Sequence, residues 1–407
     1  MTYQPRQIFL PSPVKIFDVT RLAARLLEGK RPTGIDRVSL AYIAHFRDGA
    51  LALVRHGGRW LCISEKLSQR VFAALLDEVA RPEWAIRMAV ATAHARSPRV
   101  PSGALLFNTG HSGLDKPGYR AVIERFGLKP VYFVHDLIPL SYPEFCREGE
   151  ASRHRMRLQT MLGTAGGLIL NSQATANELH AYAHAAGVAL PPFVIAPIGT
   201  VSLPAPQPAF ARQRPYFVML GTIEPRKNHL MILNLWRQMI EAGLPNIPDL
   251  VIIGQRGWEC EQVLDLLERS STLKPKVIEL SNCADLELSA WLHHARALLF
   301  PSFVEGYGMP LAEALGHGIP VIASNLPVFH EIAGDVPDYL NPLDGLGWRE
   351  LLLDYAQPNS PARAAQLVRM QGYSAPSWDG HFAVVAPFVR TLEERESQHD
   401  GYRVATL

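Results

Sequence analysis

The chain has 407 residues, 48% of them hydrophobic and 19% charged, with a formal net charge of +2. This is a globular composition, and the length exceeds the ~250–300 residues at which single cores stop growing, so two domains are expected and a disordered or fibrous chain is excluded. The near-neutral balance argues against a nucleic-acid binder, which carries a strong basic excess.

In the first half, short apolar runs read as strands: VKIFDVT (14–20), LALVRH (51–56), WLCIS (60–64), ALLFNTG (104–110), PVYFVHD (130–136), GLILNS (167–172) and FVIAPI (193–198). Amphipathic stretches at 35–47, 66–79, 117–126, 150–164 and 173–186 read as helices between them. Segment 199–214, GTVSLPAPQPAFARQR, holds three prolines and breaks the rhythm, so a linker is placed there. The alternation resumes with strands PYFVMLG (215–221), LVIIG (250–254), KVIEL (276–280), ALLFPS (297–302) and PVIAS (320–324). Helices are expected after EPRKNH, near 258–269, at 285–295 and at 309–317. Residues 377–396 read as one amphipathic helix with Ser377 as its N-cap. Strands alternating with helices predict an α/β protein with parallel sheets.

Four well-separated cysteines, Cys62, Cys146, Cys260 and Cys283, form no CxxC pair and no metal-spaced cluster, so reduced thiols are expected. The N-terminal stretch MTYQPRQIFLPSPVKIFDVT has no long apolar core, and no run approaches the ~20 apolar residues of a membrane span. Neither a signal peptide nor a spanning helix is expected, and a cytoplasmic location follows. The helix region after the first strand carries Arg21, Arg25, Lys30 and Arg31 beside Leu22, Leu26 and Leu27. It reads either as a solvated helix with a buried leucine stripe or as a basic face for an anionic membrane.

The strongest chemical signal is Glu305-Gly306-Tyr307-Gly308-Met309-Pro310-Leu311-Ala312-Glu313, preceded by a strand ending at Ser302. Gly306 and Gly308 let backbone approach a ligand, and the helix beginning near Met309 or Pro310 offers free N–H groups for a phosphate. Glu305 in the turn and Glu313 in the helix can accept hydrogen bonds from two separate polyol parts of one long ligand. A second signal, Gly221-Thr222-Ile223-Glu224-Pro225-Arg226-Lys227-Asn228-His229, closes the first strand of the second half. Two adjacent cations at a helix start oppose the helix dipole, and a bound diphosphate would offset that cost. His135 and Asp136 stand at a strand's carboxyl end, where doubly wound folds place ligands, and His111 stands at another. Thr33-Gly34-Ile35-Asp36-Arg37-Val38 opens a helix. Walker A, GxGxxG, HExxH and GxSxG patterns are absent, as is a DxD dipeptide, so no cofactor and no metal are expected.

These motifs, roughly eighty residues apart in the second half, resemble those of the retaining nucleotide-sugar glycosyltransferases of GT-B fold, glycosyltransferase family 4 in particular. The resemblance implies two Rossmann-like domains facing across a cleft: 1–200 as acceptor domain, 201–214 as linker, 215–376 as donor domain, and a terminal helix, 377–407, crossing back to the first domain. It implies that Glu305 faces the transferred sugar and Glu313 the ribose, and that Arg226 and Lys227 neutralise the diphosphate. Gly34, Gly221, Thr222, Ser302 and the stretch from Gly306 to Leu311 would line the donor site. His135 would lie against the transferred sugar, with Asp136 and His111 towards the acceptor. HDLIPLSYPE is similar to the same segment of bacterial mannosyltransferases of polysaccharide assembly, which favours GDP-mannose over UDP-hexoses or dTDP-rhamnose. A glycan or lipid-linked oligosaccharide is the implied acceptor. An epimerase, a phosphorylase or a silent partner subunit of the same architecture stays open.

Overall fold

The computed structural model describes residues 14–96, 98–201, 203–205 and 214–401, without the side chains of 395–401. Most of the linker reading and the last residues of the terminal segment lie outside this set, as does most of the N-terminal stretch read for a signal peptide. The first half runs β1 (Lys15–Asp18), α1 (Thr20–Leu27), α2 (Gly34–Phe46), β2 (Leu51–His56), β3 (Arg59–Cys62), α3 (Glu65–Leu75), α4 (Pro82–Ala95), β4 (Leu105–Asn108), α5 (Gly118–Phe126), β5 (Lys129–Val134), α6 (Ile138–Ser141), α7 (Glu150–Thr164), β6 (Gly167–Leu170), α8 (Gln173–Ala186) and β7 (Phe193–Ile195). The second runs β8 (Tyr216–Leu220), α9 (His229–Glu241), β9 (Asp249–Ile253), α10 (Glu261–Arg269), β10 (Val277–Leu280), α11 (Asp285–His293), β11 (Leu298–Phe300), α12 (Met309–Gly316), β12 (Val321–Ser324), α13 (Pro327–Ala333), β13 (Asp338–Leu340), α14 (Gly345–Ala356), α15 (Pro361–Met370) and α16 (Trp378–Gly401).

Strands β1 to β7 form one sheet in the order β3-β2-β1-β4-β5-β6-β7, parallel except that β3 runs antiparallel to β2. Strands β8 to β13 form a second, all-parallel sheet in the order β10-β9-β8-β11-β12-β13. Central strands such as LLFN of β4 and LVII within β9 are apolar throughout because helices bury both faces. Each sheet accordingly has two apolar clusters, with Phe17, Phe107 and Phe133 on one face of the first sheet and Leu106, Tyr132 and Leu170 on the other. These are two doubly wound, Rossmann-like α/β units.

Helix α16 crosses back to the first sheet. Phe382, Val385, Val389 and Leu392 are buried in the cluster of Phe17, Tyr42 and Phe107, and the Tyr42 hydroxyl bonds His381 Nε2 at 2.8 Å. Ser377 Oγ accepts from the Gly380 N–H at 3.0 Å, as an N-cap does.

The structure departs from the sequence reading in several elements. The expected strand 14–20 stops at Asp18, and Thr20 already begins α1. The motif at Gly34 therefore follows a helix. Helix α4 escaped notice because its apolar residues cover more than one face, leaving Trp84 and Met88 exposed. Helices α13 to α15 and strand β13 fall in a stretch that carried no clear period. All four cysteines are free.

Candidate active site

Three turns at the carboxyl ends of strands meet between the two sheets. After β11 the chain turns through Ser302 and Glu305 into α12. Gly308 has φ 124°, a left-handed value that favours glycine, and a Cβ there would meet the Phe329 ring at 2.8 Å. A Cβ on Gly306 would lie 2.7 Å from both Asp136 Cβ and the His135 carbonyl oxygen. The glycine turn of the second half thus packs directly on the strand-end His-Asp pair of the first. Thr175 Oγ1 also donates to the Gly306 carbonyl, at 3.3 Å. On the other side, the Met309 methyl covers Gly34 at the start of α2. Among the described residues, the N–H groups of Gly306, Tyr307 and Gly308 donate to no backbone carbonyl. They lie in the turn that leads into α12, beside a helix N-terminus, which favours an anion.

Glu305 lies at the centre. Its carboxylate accepts from Arg226 at 2.5 Å, from Lys227 Nζ at 2.6 Å and from Ser302 Oγ at 2.7 Å. Burial would push this carboxyl up, but the two cations outweigh it and hold it at about 2. Arg226 also pairs with Glu224 at 2.6 Å. Burial opposes its charge, yet Glu305 and Glu224 hold the guanidinium above its ordinary value. Lys227 is pushed down by burial, an effect Glu305 only partly offsets, and its ammonium stands 4.5 Å from the centre of the Phe300 ring. This corrects the sequence picture. The cations occupy a short 3-10 turn, Pro225–Lys227, ahead of α9. They are balanced by two carboxylates and are not left free at a helix start.

Glu313 is buried on α12, and Arg37 of α2 donates to its Oε1 at 3.3 Å. Burial raises its pKa, opposed by Arg37 and by a hydrogen bond from the Val201 backbone. Gly221, with φ 133°, sits beside Lys227, and the Thr222 methyl faces Gly257. Two named residues contribute side chains elsewhere. Tyr307 is buried in the first half's core and donates to the Ile198 carbonyl at 3.1 Å. Leu311 is buried in the second half's core. For these two, only the backbone can face a ligand. Pro310 occupies the first turn of α12.

His135 bonds the Thr109 carbonyl through Nε2 at 2.7 Å, and its own carbonyl accepts from Asn171 at 2.7 Å. His111, at φ 59°, bonds the Phe133 carbonyl at 2.7 Å. Their rings are 5.1 Å apart, and His154 of α7 stands 6.1 Å from His111. Burial lowers the pKa of all three, which favours their neutral forms. Asp136 Oδ1 accepts from the Ile138 N–H at 3.1 Å.

Sequence reading missed Glu224, Arg37, His154 and Asp18 as site residues. Arg37 and Glu224 lay inside the quoted motifs, and Asp18 ends β1, a position that marks ligand-facing residues in such sheets. His154 had no local signal. Burial raises Asp18 to about 7, against hydrogen bonds from Thr20. A carboxyl whose folded pKa is raised stabilises the fold below its unfolded pKa, and that contribution is lost as pH rises through the folded one. Asp18→Asn should therefore gain several degrees of melting temperature over wild type between pH 5 and pH 8, read by calorimetry. A pH-independent difference would contradict the assignment.

Residues 205–336 match the family described as Glycosyl transferases group 1. The serotype-specific mannosyltransferase WbdA of Escherichia coli is 32% identical over 221 residues, 50% of this chain and 26% of that protein. The O-antigen chain mannosyltransferase B of Escherichia coli is 34% identical over 129 residues, 32% of this chain and 33% of that protein. The chain thus spans a third or less of the length of these two curated relatives. Among solved structures, Anabaena HepE in complex with UDP and glucose superposes with a TM-score of 0.64 at 16% identity, covering 94% of this chain and 100% of that one. The sucrose-phosphate synthase of Thermosynechococcus elongatus gives a TM-score of 0.53 at 17% identity over 80% of this chain and 79% of its own. The architecture is the GT-B fold of glycosyltransferases.

Proposed function

We propose that the chain is a retaining glycosyltransferase of family 4 that moves mannose from GDP-mannose to a glycan or lipid-linked oligosaccharide in bacterial surface polysaccharide synthesis, on the cytoplasmic side of the membrane. One observation carries this reading. A carboxylate, Glu305, is held by Arg226 and Lys227 beside the turn 306–308, whose N–H groups donate to no backbone carbonyl among the described residues, with His135 and Asp136 of the other sheet packed on Gly306. The diphosphate would take the two cations and the amides of Gly306 to Gly308. Glu305 would then accept from the sugar hydroxyls and Glu313 from the ribose. Positive charge developing at the sugar ring is stabilised by Glu305, while the cations stabilise the departing diphosphate. The step that the family resemblance implies is a front-face substitution, in which the acceptor oxygen bonds the anomeric carbon on the face from which the diphosphate leaves and the leaving phosphate helps to take the hydroxyl proton. Neutral His135 orients the sugar and need not gain a proton. Mannose is favoured by the HDLIPL segment and by the mannosyltransferase relatives. A UDP-sugar donor is the second reading, on the likeness to the protein solved with UDP and glucose.

Competing GDP-mannose, UDP-glucose and dTDP-rhamnose for transfer by the purified chain, with product anomers read by NMR, tests the reading. Mannose transfer with retention, undiminished in excess EDTA, is expected, because side-chain cations and the helix start carry the diphosphate's charge. Transfer from another donor, inversion, or loss on chelation restored by manganese would each overturn the corresponding element.

A further inference from the structure

Arg226 is held from two sides. Its Nη1 donates to Glu305 at 2.5 Å and to the Val304 carbonyl at 3.2 Å, and its Nη2 pairs with Glu224 at 2.6 Å. Its own carbonyl accepts from the Phe303 N–H at 2.8 Å. The guanidinium is thus a bridge between the turn after β8 and the turn after β11, with a carboxylate at each end. The proposed reaction sends Glu305 to the sugar and leaves Glu224 without a task. Glu224 is 5% exposed, and a carboxylate that poorly solvated is held charged only by its partners.

Arg226 and Lys227 carry two positive charges, and Glu224 and Glu305 carry two negative ones, so these four groups balance before a donor arrives. The diphosphate of a nucleotide sugar brings two further negative charges to the same cations. In a poorly solvated turn that excess is unfavourable, and a proton on one carboxyl relieves it. Glu305 is the wrong group for that proton. Burial would raise it, but its two cations hold it at about 2. Glu224 differs. Burial pushes its carboxyl up and outweighs Arg226 and Lys227, and Glu305 adds to the rise. Cys146 of the first half also faces Glu224, but burial pushes that thiol up to about 11, so it already holds its proton. Asp136 acts on Arg226 from the end of β5.

We infer that Glu224 is the positioning residue that keeps Arg226 in place as this cation passes from Glu305 to the diphosphate, and that donor binding adds one proton to Glu224. The proton comes from solvent and rests on one carboxyl oxygen. The other oxygen still accepts from Arg226, so the guanidinium stays anchored while the excess charge falls by one. The inference rests on the diphosphate reading of Arg226 and Lys227 and extends it to a group that touches neither phosphate nor sugar. Linkage fixes the sign. A proton taken up on binding makes donor affinity fall as pH rises through the free carboxyl's pKa, by up to about tenfold per pH unit until the bound carboxyl titrates.

Calorimetric titration of the full chain with GDP-mannose, and with UDP-glucose in parallel, tests it at pH 6 and pH 8 in buffers of different ionisation enthalpy. The diphosphates of these donors do not titrate in this range. Wild type should take up protons on binding, and its affinity should fall about threefold or more from pH 6 to pH 8. Glu224→Gln is neutral and still accepts from Arg226. It should bind without proton uptake, equally at both pH values and close to wild type at pH 6. Glu224→Ala also removes the acceptor, and should weaken binding about tenfold and lower kcat, again with no pH slope. Glu241→Gln, at the exposed end of α9, should behave as wild type. Thermal melts verify that each variant is folded. Binding that depends on Arg226 but takes up no proton, uptake that persists in Glu224→Gln, or a Gln variant as weak as the Ala variant would overturn this inference alone. Absence of binding by both donors, or wild-type affinity in Arg226→Ala, would remove the diphosphate reading and this inference with it.

Discussion

Arg226→Ala and Lys227→Ala should each weaken nucleoside-diphosphate binding and sugar transfer by roughly 30- to 1,000-fold, the ~2–4 kcal/mol of a lost charge-assisted contact to phosphate. Both side chains already hold Glu305, so the loss has two parts. A phosphate partner disappears, and the remaining cation must serve Glu305 and the diphosphate together. Removing one cation leaves the other on the carboxylate, so the fold survives with a lowered melting temperature. Removing both leaves Glu305 and Glu224 without their cations in a poorly solvated turn, and the double variant should lose more stability than the single changes together. Nucleotide titration and thermal melts on the three variants check this. Wild-type affinity in both single variants would remove the phosphate assignment.

Glu305→Gln and Glu313→Gln should fail in different ways. If Glu305 meets the transferred sugar, its contact strengthens as positive charge develops, and Glu305→Gln lowers kcat about 100-fold with a smaller change in KM. The geometry adds a sharper expectation. Glu305 holds Arg226 and Lys227, the same cations the diphosphate would take. Removing its charge frees them, so affinity for the free nucleoside diphosphate should hold or rise while turnover collapses. Glu313 would grip the ribose equally in ground and transition states. Glu313→Gln should mainly raise the donor KM, about tenfold, as expected for loss of one charged hydrogen bond. It also loosens the Arg37 contact between the two halves. Steady-state kinetics of the two variants separate these roles.

Much of the fold was legible because strands buried on both faces must be apolar, which makes runs such as VYFV and LVII conspicuous. The turns were legible because Gly306 and Gly308 fill positions that other residues cannot. What stayed hidden were choices of partner. Nothing near Glu313 announces Arg37, 276 positions away, and nothing near Arg226 says that Glu305 neutralises it. The arginines around α1 left two readings open because Asp36, which pairs with two of them, reaches them only once α2 folds back. Tyr307 and Leu311 sit inside the strongest motif yet serve the cores, since a helix start can offer its backbone to a ligand while its side chains pack away from it. Asp18 was read as part of a strand. Its burial is a property of the assembled sheet, and so is its raised pKa.

Calorimetric titration of the full chain with free GDP, UDP, dTDP and ADP tests the central claim most directly. The free nucleotide carries ribose and diphosphate but no transferred sugar, so it isolates the contacts of Glu313 with the ribose and of Arg226 and Lys227 with the diphosphate from the role of Glu305. The account predicts saturable one-to-one binding of one of them, GDP on the favoured reading, weakened at least tenfold in Glu313→Gln and in Arg226→Ala and not weakened in Glu305→Gln. Absence of binding by all four nucleotides, or an affinity indifferent to Glu313 and Arg226 alike, would contradict it.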